Sequence, residues 1–326
     1  MRLNEIGENA LLARWWDVLR RNPAQRNGVQ EADAELIPLS GATLAMTIDT
    51  VAEECALGLY SDVETAGWVA ATASLSDLAA VGAEPIGVLV SVTLADNSTQ
   101  AGIARGLDAA CQAASTYVLG GDTNFGDRLA ITTAAIGTVA KPLMRTGCRP
   151  GELVYVTGRM GAGACCAARA LFGVSDGAPF RPMARIPEGR ALAGVASACI
   201  DTSDGLVAAL DQLARLNDVG FEIAVGIGDF IDPSAAAVCQ RLGVPDLLAL
   251  AQPHGEFELV FTVPEDRVPE IRSGIPIGRT IAAPEVRIEG RAIDTAAIRN
   301  AVWEAAGNPG RCLESLRTIL TGGVYA

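Results

Sequence analysis

Apolar and polar positions along the chain follow two rhythms, and the points where one gives way to the other mark its elements. Residues 3–21 show an amphipathic helical spacing that ends near Asn22-Pro23. TLAMTID (43–49) is apolar and β-branched, and predicts a strand closed by Asp49. Ser61 and Glu64 stand at the S-x-x-E spacing of a capping box, which predicts a helix from there to Gly82. IGVLVSVTL (86–94) is apolar on both faces and predicts a buried strand. A helix over 98–117, a Gly-Gly turn leading into GGDT (120–123) and a strand over 129–139 complete the first half.

RTGCRPGE (145–152) interrupts the pattern with turn residues, and the chain is expected to divide there into 1–144 and 145–326. Beyond it the pattern predicts a strand over 152–158, a small-residue helix from about Ala162, a Pro-rich loop over 180–187 and a helix over 189–198. CIDTSDGL (199–206) then leads into a helix that Ser203 would cap, running to about Leu216, and FELVFTV (257–263) predicts another strand. Strands alternating with helices in both halves predict an α/β or α+β architecture. A length of 326 residues agrees, since roughly two domains are expected of it.

Composition narrows the function classes. Half the residues are hydrophobic and 19% are charged, as in a protein with a large core. A formal net charge of −13 argues against a nucleic-acid partner, because phosphate contacts need a basic face. No apolar run reaches the roughly 18 residues of a membrane span, and the acidic amphipathic N-terminus is unlike a signal peptide. No membrane partner and a cytoplasmic location are expected. The eight cysteines include no C-x-x-C pair and sit mostly among apolar residues, which predicts reduced core thiols.

Two scarcities limit the chemistry. Lys141 is the only lysine and no G-x-x-x-x-G-K-[S/T] occurs, which excludes a P-loop nucleotide site. His254 is the only histidine, which excludes multi-histidine metal cages. Carboxylates, hydroxyls, arginine and backbone must therefore carry the reaction. Asp33 sits in a polar loop, Asp49 at a strand end, Asp122 after Gly-Gly, and Asp201 and Asp204 at a helix start. Each alone has a turn or capping explanation. Asp77 does not, since its predicted helix is Ala- and Leu-rich and an unpaired buried carboxylate costs several kcal/mol, of the order of 3. With 38 acids against 25 basic residues, a divalent cation would resolve the imbalance, and hard oxygen ligands without His or Cys suit Mg²⁺.

The ordered blocks TID (47–49), SLSDLAAVGAEP (74–85), GGDT (120–123), RTGCRPGE (145–152), DTSDGL (201–206) and EFELVFTV (256–263) resemble thiamine-monophosphate kinases. These belong to the superfamily of aminoimidazole ribonucleotide synthetase, selenophosphate synthetase and the hydrogenase maturation factor HypE. The resemblance runs from NEIGE (4–8) to at least residue 263. It implies a two-domain fold whose N-terminal α/β domain dimerises through a shared barrel of strands, with ATP held nearby through Mg²⁺. It implies that Asp33, Asp49, Asp77, Asp122 and Asp201 ligate Mg²⁺ between the phosphates and that Asp204 binds a further ion. Asp49, Asp77 and Asp122 would carry the catalysis. Gly121, Asp122 and Ser203 would touch ATP, and Arg145 would reach its phosphates. Transfer onto an existing phosphate oxygen needs no dedicated base, so the scarcity of His and Lys is no obstacle.

The departures lie on the acceptor side. The family's Gly-Asp-Asp reads EAD here, with Ala32 before Asp33. A histidine that contacts thiamine phosphate falls at Ala56, and Gly-Gly-Glu-Asp-Tyr-Glu-Leu reads PHGEFEL (253–259), which keeps Glu256 as a substrate contact and places His254 beside it. The family's aromatic C-terminal ending has no counterpart in CLESLRTILTGGVYA (312–326). Three readings follow: a kinase of the thiamine-monophosphate type, a relative that uses ATP to activate an amide or carboxylate oxygen of another small molecule, and a catalytically silent nucleotide-binding partner.

Overall fold

The structure, a computed structural model, describes residues 1–60, 62–174 and 180–321. Its first sheet contains β1 (Glu35–Leu39), β2 (Ala42–Val51), β3 (Glu84–Leu94), β4 (Val118–Phe125) and β5 (Ala130–Val139) in the order β1-β2-β5-β3-β4. All neighbours are antiparallel except β3 and β4. Ahead of this sheet lies α1 (Gly7–Trp16), with the short α2 (Glu53–Leu57) after β2; α3 (Val63–Ala80) and α4 (Gln100–Ala113) follow in turn. The second sheet has the order β12-β11-β8-β10-β6-β9-β7, from β6 (Leu153–Val156), β7 (Ala198–Asp201), β8 (Gly220–Ile223), β9 (Leu259–Val263), β10 (Ile275–Ile281), β11 (Val286–Ile288) and β12 (Arg291–Ile293). Its helices are α5 (Ala162–Phe172), α6 (Ile186–Leu192), α7 (Leu206–Asn217), α8 (Ile227–Phe230), α9 (Pro233–Leu242), α10 (Leu247–Ala251), α11 (Thr295–Glu304) and α12 (Pro309–Thr321).

Helix α3 connects the halves. It is apolar on nearly every side, and it packs on β2 and β5 of the first sheet, on α4 and α6, and on β7 of the second. A helix hydrophobic all round belongs in an interior. Strand β2 shows why one side of the first sheet faces it: Thr43, Ala45 and Val51 are buried, whereas Ile48 on the alternate face is 69% exposed. The N-terminal arm crosses to the other half, where Glu5 pairs with Arg215 at 2.9 Å and Glu8 with Arg299 at 3.1 Å.

Several expectations need correction. The N-terminal helix covers Gly7–Trp16, with a 3-10 turn at Leu3–Glu5 before it. Ser61 lies outside the described residues; Asp62 caps α3 by accepting the Thr65 amide at 2.7 Å. Strand β3 is buried on one face only, since Ile86 and Leu89 are exposed. GGDT is no turn but the middle of β4, which is exposed along its length. A Cβ at Gly121 would meet the Val90 carbonyl oxygen at 1.8 Å, so contact with β3 alone demands glycine there. Helix α6 spans Ile186–Leu192 rather than 189–198, with Pro187 in its first turn, where a missing N–H is tolerated. Ser203 does not cap α7, whose N-cap is Gly205; its hydroxyl donates to Asp201 Oδ1 at 3.0 Å.

Candidate functional site

Three acids from three separate elements converge where α3 meets both sheets. Asp33 lies in the bend before β1, Asp77 in the last turns of α3, and Asp201 at the end of β7. One carboxylate oxygen from each lies within 4.8 Å of those from the other two. At that spacing and an effective dielectric of 20, each pair repels by about 3 kcal/mol. The strain shows in their proton affinities. Burial, then Asp49, Asp201 and Asp33, hold the Asp77 carboxyl well above its ordinary value. Burial and Asp33 push Asp201 up to about 7, and burial with Asp33 and Glu54 pushes Asp49, on β2, up to about 6.

Protein donors satisfy part of this group. Thr47 on β2 donates its hydroxyl to Asp77, Ser76 donates to Asp201 Oδ2 at 2.8 Å, and Arg145 donates to Asp33 Oδ1 at 2.7 Å. Burial opposes the charge of Arg145, but Asp33, Asp77 and Asp201 outweigh it and hold the guanidinium protonated. Asp33 Oδ2 and Asp49 Oδ2 are nevertheless buried with no hydrogen-bond partner. Orphaned buried carboxylate oxygens in a crowded acidic group, with hard ligands only, fit a divalent cation of the Mg²⁺ type.

One cavity adjoins the group through Asp201, and a second meets the first. The smaller, about 200 Å³, is lined by Arg145, Asp201, Ser203 and Asp204 together with the amides of Asn9, Gln30 and Gln212. The larger, about 310 Å³, is walled by α2, α5, α9, α11 and α12 and is mostly apolar. Glu8, Asp204, Ala208 and Arg299 line both, so the two meet along a common wall.

The expected site residues therefore fall into three places. Asp33, Asp49, Asp77 and Asp201 come together, with Arg145, Ser203 and Asp204 around the adjoining cavity. Gly121 and Asp122 do not join them. Register runs from Asp49 across Thr133 and Val90 to Gly121, three strands over, which is about 14 Å at ordinary strand spacing. Asp122 is exposed, and its side chain accepts from Asn124 at 3.0 Å. Glu256 lines neither cavity. It is buried, accepts the Gly161 amide at 2.7 Å at the start of α5, and burial pushes it up to about 8. Its segment braces the DTSDG loop: Gly255 donates to the Ser203 carbonyl at 2.8 Å, and a Cβ at Gly255 would meet Thr202 O at 1.5 Å.

Sequence reasoning missed Ser76, Thr47 and the amide cluster. Ser76 and Thr47 stand next to quoted acids, but nothing in their spacing shows which way the hydroxyls point. Glu54 was missed as well, although two successive acids opening a five-residue helix are a visible signal.

Comparison with known proteins finds relatives over most of the chain. Residues 31–139 match the family described as AIR synthase related protein, N-terminal domain. The chain is 36% identical over 261 residues to a thiamine-monophosphate kinase of Halobacterium salinarum, covering 76% of this chain and 88% of the relative. It is 32% identical over 278 residues to the Escherichia coli K12 enzyme of that name, covering 79% and 83%. Thiamine monophosphate kinase from Aquifex aeolicus superposes with a TM-score of 0.72 at 25% identity, over 90% of this chain and 99% of that one. AaThiL complexed with AMPPCP and TMP shares the fold, with a TM-score of 0.75 at 24% identity over 90% and 97%.

Proposed function

The chain belongs to the thiamine-monophosphate kinase family, and we propose that the Asp33–Asp77–Asp201 group and its two cavities form the active site. The reaction is ATP-dependent phosphoryl transfer to thiamine monophosphate. A phosphate oxygen of thiamine monophosphate attacks the γ-phosphorus of ATP, the bond to the β,γ-bridging oxygen breaks, and ADP and thiamine diphosphate leave. The nucleophile is already anionic, so no side chain has to remove a proton.

Bound Mg²⁺ supplies neutralisation of the phosphate charge that accumulates in the transition state. Asp33, Asp49, Asp77 and Asp201 would hold it, and Asp204 faces the cavity where a further ion fits. Arg145, fixed by Asp33, presents a positive group to phosphate in the smaller cavity, and the Ser203 hydroxyl lies beside it. The larger apolar cavity suits the rings of the acceptor, with its phosphate directed to the shared wall. The observation that carries this reading is the convergence of three acids from distant segments within 4.8 Å, with buried oxygens left unpaired.

The expected dimer has support in the first sheet. Ile48, Leu89 and Leu119 are 69, 42 and 51% exposed, on a sheet whose other face carries α3 and α4. Pairing of two such sheets would remove these apolar side chains from water. Asp122 and Gly121 lie on this exposed strand, so a role at the phosphates would be exercised across that pairing. Two sheets that share no strand support a division near residue 144, with the N-terminal arm reaching back to the second half.

The test is a coupled assay of ADP release with thiamine monophosphate, thiamine and other phosphorylated metabolites. Saturable turnover with thiamine monophosphate, yielding thiamine diphosphate, is expected; silence while the nucleotide still binds would contradict the reading.

A further inference from the structure

We propose that Glu54 is the counter-charge for a cationic ring in the larger cavity, and that it sets a preference for a charged over a neutral acceptor ring. The inference rests on the kinase reading and deepens it.

Glu54 lies in the short α2 and lines the cavity, and its Oε2 is buried without a hydrogen-bond partner. A carboxylate oxygen left so is costly unless a ligand completes it. Apart from Asp204, which lies on the wall shared with the smaller cavity, the other charged lining groups are already engaged. The Glu53 carboxylate accepts the Gly307 amide at 2.9 Å, at the turn between α11 and α12. Arg299, the one Lys or Arg among the described lining residues, is shared between Asp211 at 3.0 Å and Glu8 at 3.1 Å. Burial holds the His254 imidazole below its ordinary value, so it adds no positive charge to the wall. The cavity is therefore net negative at the Glu54 side, with no Lys or Arg among its described lining residues free to answer it.

The rest of the lining suits a flat ring. Phe172 and Trp303, both partly exposed large aromatics, belong to the cavity wall, and the Trp303 ring lies so close to Gly7 that a Cβ there would meet it at 2.7 Å. Aromatic faces attract cations as well as planar rings. Thiamine carries one fixed positive charge, on its thiazolium ring, and that ring is joined to the phosphate by a two-carbon arm. A phosphate on the shared wall and a ring in the larger cavity bring this charge toward α2.

The test compares thiamine monophosphate with its neutral analogue, in which a thiophene replaces the thiazolium, on the wild-type enzyme and on Glu54→Gln, both saturated with Mg-AMPPCP. Wild type is expected to bind the cation at least tenfold more tightly than the neutral analogue. In Glu54→Gln that ratio should fall about tenfold, with nucleotide affinity unchanged and kcat for thiamine monophosphate within about threefold. An unchanged ratio in Glu54→Gln would overturn the proposal and leave the kinase reading intact. So would a defect that raised Mg²⁺ restores, which would assign the carboxylate to a metal beside Asp49. Failure of wild type to bind either compound with nucleotide present would overturn the kinase reading itself, and this proposal with it.

Discussion

Ser76 on α3 donates a 2.8 Å hydrogen bond to Asp201 at the end of β7, joining residues 125 positions apart. The next residue on α3, Asp77, accepts from Thr47 on β2 of the other sheet. One turn of one helix therefore fixes two carboxylates against opposite halves of the molecule. Ser76→Ala should leave Asp201 Oδ2 without its donor, lower stability by about 1 kcal/mol and raise the Mg²⁺ needed for half-maximal rate several-fold. A Mg²⁺ titration of initial rates checks this; an unchanged requirement would count against the coupling.

Asp77→Asn removes one charge from a crowded group. Turnover and Mg-ATP affinity should each fall by roughly a hundredfold, while the metal-free protein keeps or gains stability, because a neutral amide replaces a carboxyl whose charged form burial and its neighbours disfavour. Thermal melting in EDTA beside kinetics separates the two effects.

Removing Arg145 should act in the opposite sense. Its partner Asp33 has a side chain only 1% exposed, so Arg145→Ala strands a buried charge and should cost about 3 kcal/mol in a urea titration, in addition to weaker nucleotide binding.

The acids predict a pH dependence with a definite sign. Asp49 and Asp201 are raised from 3.8 to about 6 and about 7. Between these values the folded chain holds more protons than the unfolded one, so metal-free stability falls as pH rises from about 4 to about 7. Mg²⁺ competes with those protons, so its stabilisation should be larger at pH 8 than at pH 5. Melting curves at both values, with EDTA or with Mg²⁺, give the comparison; equal shifts would contradict it.

The exposed face of the first sheet gives a fourth variant. Leu89→Asp should convert a sedimenting dimer into a species of one chain's mass, with loss of activity. A wild-type monomer with full activity would remove the proposed pairing.

Some of this was legible in the sequence. Asp77 stood out because an acid inside an Ala- and Leu-rich helix has no local explanation, and Asp33, Asp49 and Asp201 sat in ordered blocks. The contacts that unite them were not legible, since Ser76, Thr47 and Arg145 reach partners 30 to 125 residues away. Asp122 was misplaced because Gly-Gly reads as a turn, whereas Gly121 answers the closeness of Val90 on the neighbouring strand. Strand β1 escaped notice, being five residues with Pro38 among them at a sheet edge, and so did the elements after β9, where strands of three residues carry little periodicity. Glu256 looked like a substrate contact by its motif, but its carboxylate is turned to the start of α5.

The most direct test is the anomalous signal of Mn²⁺ in crystals grown with AMPPCP. The expected result is a peak coordinated by Asp33, Asp77 and Asp201 and by phosphate oxygens of the nucleotide. A bound nucleotide with no ion among those three carboxylates would contradict it.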